Sequence, residues 1–163
     1  KGVKLMLIYG IDPGFTGAIA LYWPNSPYES NLEVYDMPVM KNPKGKTIIN
    51  PHGVLDILAN EGGKSLAVIE QVAAMRGQGV SSMFRFGQGF GHLQMACAAC
   101  KLPTKYVTPA SWKKHFGLNR DKGLSRSLAI QRFPNQAGLF ARTKDDGRAE
   151  AALLALFGHE TLA

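Results

Sequence analysis

The stretch "LIYGIDPGFTGAIALY", residues 7–22, carries a single charge, Asp12. Asp12 stands between an apolar run and the Pro13-Gly14 turn, and apolar alternation resumes beyond it. The pattern predicts two strands, 5–11 and 17–22, joined by a tight turn. Asp before Pro-Gly is ordinary turn chemistry. With apolar strands on both sides, however, the carboxylate is drawn into a sheet core, where an ionised group costs several kcal/mol unless compensated. The rest of the chain must supply what compensates Asp12.

The 163 residues fit one domain, 1–163, in which residues 1–5 read as an upstream extension or an added remnant if Met6 is a start. A chain of this length buries roughly two-thirds of its unfolded surface. Apolar residues make up 45% and no run reaches the length of a membrane span, so a soluble protein with no membrane partner is expected. The N-terminal stretch lacks the apolar core and cleavage site of a secretory signal, which points to a cytoplasmic or organellar setting. Cys97 and Cys100 form a C-x-x-C inside an apolar helical run with no second pair. They read as buried thiols rather than a redox or metal motif, in a reducing compartment.

Net charge is +7, from 19 Lys and Arg against 12 Asp and Glu, which favours a polyanionic partner. Most cations lie in polar stretches. Asp12, Glu70, Asp145, Asp146 and Glu150 instead lie in apolar or glycine-rich settings.

Further along, 31–39 alternates as a third strand of an antiparallel meander, and 41–53 reads as a polar loop. A helix is expected over 54–61, stopped by Gly62-Gly63. "SLAVIE" (65–70) is a short buried strand ending in Glu70. A small-residue helix over 81–99, a strand over 104–107 and a helix over 108–116 follow, the last with Thr108 as cap and Pro109 at its first position. Helices over 123–133 and 147–158 complete the chain. No repeat, low-complexity tract or linker interrupts it.

The acids have spacing that argues for a site. Asp146 and Glu150, four apart on a helix, lie about 40° from one another on one face, whereas Asp145 points about 140° away from Glu150. Asp146 is therefore the preferred inward partner. Carboxylates brought to 4 Å repel by on the order of 4 kcal/mol per pair at an effective dielectric near 20. Divalent cations relieve this, and two Mg²⁺ ions about 3.5–4 Å apart suit phosphodiester hydrolysis. The plainer readings are a strand-end Glu70, a capping box joining Asp146 to Thr143, and a Glu150 paired with Arg148 or a lysine.

The element order, with acids ending the first and fourth strands, is the ribonuclease H-like arrangement: an α/β fold with a five-stranded mixed sheet flanked by helices. "YGIDPGFTGAIAL", "AVIEQV" and "KDDGRAEAALLALFG" resemble, in order and spacing, the three signature blocks of RuvC-type Holliday junction resolvases. The third block is most similar to the phage and chloroplast branch, and the match runs from about Leu7 to Gly158. The resemblance implies a homodimeric endonuclease acting on four-way junction DNA, with Mg²⁺ (or Mn²⁺), two ions per site, held by Asp12, Glu70, Asp146 and Glu150. The family usually has Asp or His at the Asp146 position and Asp at the Glu150 position, so Glu150 is a departure with a longer arm.

"TPASWKKHFGLNRDKGLSRS" places five Lys and Arg around Trp112, His115 and Phe116. On charge alone it reads equally as a solvated helix face. By resemblance, Lys113 and Lys122 match lysines near the scissile phosphate, and Lys114 and Arg120 become backbone contacts. His115 reads as a helix-face or DNA-proximal residue rather than a ligand. Residues 73–85 sit where the family opens the junction centre, which makes Met75, Arg76 and Phe84 the candidates to insert. Gly87 and Gly91 fall at helical spacing, where each costs about 1 kcal/mol relative to Ala. Such a cost suggests close approach of another backbone, and the family packs this helix on its two-fold mate. Met83, Phe86, Gly87, Phe90 and Gly91 are the expected contact residues.

Other classes compete. D-x-G-x-T-G after an apolar strand also opens the phosphate hairpin of sugar kinases and actin-like ATPases, which need a second such domain. A ribonuclease H-like RNA-processing nuclease and a non-catalytic junction-binding relative remain as alternatives.

Overall fold

The computed structural model describes residues 6–59, 64–74 and 76–163. Residues 1–5, the Gly62-Gly63 stop, Met75 and the side chain of Lys122 lie outside the described residues. Strands β1 (Leu7–Asp12), β2 (Ala18–Tyr22) and β3 (Leu32–Asp36) form the antiparallel meander. After β4 (Val39–Lys41), β5 (Thr47–Ile49) and α1 (Pro51–Leu58), β6 (Ser65–Glu70) runs parallel to β1. Helix α2 (Val80–Ala99) leads to β7 (Thr104–Val107), parallel to β6. Helices α3 (Pro109–His115), α4 (Lys122–Arg132) and α5 (Asp146–Thr161) follow, with 3₁₀ turns at Pro134–Phe140 and Thr143–Asp145. The main sheet has the order β3-β2-β1-β6-β7, the mixed five-stranded arrangement expected.

β1 is central and covered on both faces, which explains its near-continuous apolar run. Ile8 belongs to the core shared with α5, while Tyr9 and Ile11 belong to the core shared with α1 and α2. Gly10 marks the contact with α5. A Cβ there would lie 2.0 Å from the Ala151 carbonyl oxygen and 2.5 Å from the Ala155 nitrogen. Small residues on both elements let helix and strand approach at backbone distance, and α5 is buried almost all round through Phe157.

Three expectations need correction. The strand read over 31–39 ends at Asp36, and the polar stretch over 41–53 is not a loop. Pro38 offers no N–H to a ladder, and its carbonyl accepts instead from Asn50 N at 2.9 Å. Beyond it β4 and β5 pair as a separate two-stranded hairpin. Its turn is built by Asn42 Oδ1, which accepts from the Lys44 and Lys46 N–H groups at 3.0 and 2.9 Å, and by Gly45 at φ +70°. Asn and Gly at those places are the hairpin signal that the run of lysines obscured. Helix α1 also begins earlier than its periodicity, at Pro51, because Asn50 caps it through Oδ1. Thr108 caps α3 as expected. Burial pushes the Cys97 thiol up to about 11, as for an inert buried thiol, and neither cysteine forms a disulfide.

Candidate active site

The last register pair between β1 and β6 is Ile11 with Ile69, which sets Asp12 beside Glu70 at the carboxyl ends of two parallel strands. Both continue the faces of Ile8 and of Leu66 and Val68, the side covered by α5. Asp12 Oδ1 accepts from Gly14 N at 3.4 Å across the turn. Two glycines then seat this turn on α5. A Cβ on Gly17 would lie 2.1 Å from the Asp12 carbonyl oxygen, and one on Gly147 would lie 2.4 Å from the Thr16 carbonyl oxygen. The first turn of α5 therefore lies against the β1–β2 turn. Asp12, Asp146 and Glu150 open on one cleft of about 500 Å³, together with Asp36, Arg142 and Asp145. Glu70 sits at its strand end outside that lining.

Each acid has a defined neighbour. The indole Nε1–H of Trp112, a fully buried side chain, donates to Glu70 Oε2 at 2.7 Å. Arg126 Nε donates to Asp146 Oδ1 at 2.9 Å. Lys113 Nζ lies 3.3 Å from Oε1 of Glu150, a residue only 8% exposed. That approach is an ion pair but lies off the hydrogen-bonding direction, so Oε1 is buried without a hydrogen bond. Glu150 thus pairs with a lysine of α3, while Arg148 turns to Asp36 at 2.6 and 2.8 Å.

Asp145 resolves differently from its neighbour. It is 1% exposed, and its carboxylate accepts from the Arg142 backbone N–H at 2.8 Å and from the Arg142 guanidinium. Hydrogen bonds from the Arg142 guanidinium hold its carboxyl below the usual range, and those from Arg148 do the same for Asp36. The box that starts this helix therefore joins Asp145 to Arg142, not Asp146 to Thr143. Asp145 tethers the start of α5, and Asp146 is left to face Arg126.

As they stand, no three His, Cys, Asp or Glu side chains among the described residues are gathered to hold a metal ion. The donor chemistry nevertheless fits a hard divalent cation. The set is all carboxylate oxygen, one buried oxygen lacks a hydrogen bond, and two of the acids are neutralised by cations on neighbouring helices.

The other expected residues divide. Lys114, Arg120, Arg76 and Phe84 are exposed, Phe84 at 72%. His115 is held by Glu160 at 2.7 Å and by the Phe116 and Phe157 rings, which makes it part of the packing of α3 on α5. Of the five α2 residues, Met83, Phe86 and Phe90 are half-buried, with Phe86 edge-on to Phe15 and Phe90 edge-on to Tyr106. Gly87 and Gly91 are open, with nothing within 4 Å of an added Cβ. The close approach within the chain falls on Gly89, 2.7 Å from Ile49 Cγ1. Sequence reading missed Trp112 and Arg126 as partners of the acids. Neither carries a local signal, since each meets its acid only through tertiary packing.

No family model matches the chain, and no curated protein matches it in sequence. Solved structures do. A Thermus thermophilus RuvC structure superposes with a TM-score of 0.57 at 16% identity, over 95% of this chain and 96% of that one. The fold is the RuvC fold. T. thermophilus RuvC in complex with Holliday junction substrate matches at a TM-score of 0.59 and 15% identity, over 96% of each chain. In this version of the RuvC fold, the first and fourth strands of the main sheet in chain order are β1 and β6, and both end in the acids described above.

Proposed function

We propose that this chain is a metal-dependent endonuclease that resolves four-way DNA junctions by paired symmetric nicks. One observation carries the reading: Asp12 and Glu70 end adjacent parallel strands, and α5 brings Asp146 and Glu150 to the same end of the sheet. Ligand sites of open α/β sheets form at the carboxyl ends of parallel strands. The likeness in fold to a RuvC bound to junction DNA agrees with it.

Asp12, Glu70, Asp146 and Glu150 would hold Mg²⁺ or Mn²⁺, two ions per site. Bound there, the ions would lower the pKa of a water and stabilise the leaving oxygen of a phosphodiester. The chain's own groups prepare that site. Trp112 fixes the direction of the Glu70 carboxylate, and the Gly17 and Gly147 contacts fix Asp12 against α5. Lys113 and Arg126 neutralise Glu150 and Asp146 in the resting protein and stand ready to face phosphate oxygens instead. By the resemblance, Lys122, the first residue of α4, would contact phosphate as well. Lys114 and Arg120 would add backbone contacts, and Met75, Arg76 and Phe84 are the candidates to insert at the junction centre.

A two-fold homodimer supplies two such sites, as two nicks in strands of like polarity require. Helix α2 offers the face. Val80 and Met95 are 86% and 69% exposed, and Gly87 and Gly91 lie between them at helical spacing. Such a stripe on a monomer is an aggregation liability unless covered.

The test is incubation with a labelled mobile four-way junction, a linear duplex and an RNA–DNA hybrid, with and without Mg²⁺ or Mn²⁺. Paired nicking of the junction alone, lost in Asp12→Asn with binding retained, is expected. Preferential cleavage of the hybrid would move the reading to an RNA-processing nuclease, and binding without any metal-dependent cut to a non-catalytic relative.

A further inference from the structure

A second groove leaves the acidic cleft and ends on the β4–β5 hairpin. It shares Phe15 and Thr16 with the cleft and is lined beyond them by Ser82, Arg85 and Thr47. Arg85 fixes this wall. Its guanidinium lies 5.8 Å from the centroid of the Phe15 ring, and Nη1 donates to the Thr47 carbonyl at 3.0 Å. The hairpin register carries the groove outward. Lys41 is paired with Thr47, and Val39 with Ile49, so Val39, Lys41 and Thr47 share one face. Val39 lines the acidic cleft, Thr47 lines the groove, and Lys41 Nζ donates to Thr47 Oγ1 at 2.8 Å.

Lys44 and Lys46 follow at the tip, both exposed. The tip is built to hold its shape. Asn42 Oδ1 accepts from two backbone N–H groups, the Asn42 N–H donates to the Lys46 carbonyl at 2.9 Å, and Gly45 takes the positive φ. From Met37 to Leu55 the sequence contains these three lysines and no Asp or Glu. A rigid projection bearing three cations, none of them in a salt bridge among the described residues, and reached by a groove from a phosphodiesterase cleft, has the electrostatics of a polyphosphate track.

From this we infer that the β4–β5 hairpin is a phosphate-tracking finger. Lys41, Lys44 and Lys46 bind the sugar–phosphate backbone of the substrate arm that leaves the cleft past Phe15 and Thr16. The inference rests on the nuclease reading above and adds to it the route of one arm and the residues that hold it. The contact is to backbone, so it adds affinity without base preference.

The experiment measures binding and cleavage of a labelled long-armed four-way junction over a range of salt. Three proteins are compared with the wild type: Lys41→Ala/Lys44→Ala/Lys46→Ala, the tip pair Lys44→Glu/Lys46→Glu, and Lys101→Ala. Lys101 follows the far end of α2 and serves as the control cation. Thermal unfolding confirms that each variant is folded, and the tip pair leaves the Lys41–Thr47 bond in place. The triple variant should bind roughly tenfold more weakly near 0.1 M salt, with a salt slope shallower by about two to three units. Lys101→Ala should leave both unchanged. Affinity and slope equal to wild type in both hairpin variants would overturn the finger while leaving the nuclease intact. Wild-type protein that neither binds nor cuts the junction would overturn the nuclease reading and the finger with it.

Discussion

Trp112 and Glu70 are 42 positions apart in sequence and are joined by a hydrogen bond of 2.7 Å from indole Nε1 to Oε2. Trp112 is fully buried between the sheet and α5, so the ring cannot turn away and the carboxylate inherits its direction. A charge-assisted bond of this kind is worth about 1.5–3 kcal/mol.

Trp112→Phe keeps most of the ring volume and removes the donor. It should cost about 1–3 kcal/mol in stability and lower cleavage far more than junction binding. Urea unfolding together with single-turnover cleavage reads both. A variant equally stable and equally active would show that Glu70 is oriented by something else. Glu70→Gln keeps an acceptor oxygen for the indole, so it should fold normally and fail to cut.

Lys113→Ala removes the cation beside Glu150 and leaves a carboxylate that is 8% exposed without its ion pair. The melting temperature should fall in metal-free buffer and recover in part with Mg²⁺, because a bound cation replaces the lost charge. Identical losses with and without Mg²⁺ would separate Glu150 from any metal site. Turnover should drop as well, and the salt slope of binding should flatten by up to about one unit.

The start of α5 should be acid-sensitive. Asp145 and Asp36 have folded pKa values held below their unfolded ones, chiefly by hydrogen bonds from Arg142 and Arg148. A depressed pKa contributes stability that is complete above the unfolded value, near 4, and lost as pH falls through the folded value. Stability should therefore decline below about pH 4, and Asp145→Asn should make that decline shallower while lowering stability at neutral pH. Denaturant midpoints across the acid range measure this. An unchanged pH slope in the variant would remove Asp145 as the source.

The glycines should separate into two kinds. Gly10→Ala would drive a Cβ to 2.0 Å from the Ala151 carbonyl, so it should destabilise the monomer severely, by several kcal/mol. Gly87→Leu and Gly91→Leu meet open space within the chain and should leave the fold intact while weakening self-association. Sedimentation of each variant with and without junction DNA distinguishes them. A wild-type protein that stays monomeric even on DNA would end the case for a two-fold face on α2.

The sequence by itself determined the main sheet and which carboxylates end its two inner parallel strands. β1 and β6 are short apolar runs that can only be buried, and each ends in a carboxylate, so the acids fall at strand ends before any coordinate is known. The four-residue spacing of Asp146 and Glu150 likewise needed only helix geometry. Tertiary structure alone decided which groups accompany those acids. Trp112, Lys113 and Arg126 lie 42, 37 and 20 positions from Glu70, Glu150 and Asp146, and nothing in local periodicity ties them together. The β4–β5 hairpin was hidden for another reason: its turn chemistry is local, but its lysines resemble solvent-exposed loop until Pro38 and α2 fix it beside the cleft. The division between Asp145 and Asp146 also came late. Adjacent acids at a helix start look alike in sequence, and only the packing of Arg142 and Arg148 against one of them makes it a tether and leaves the other paired with Arg126.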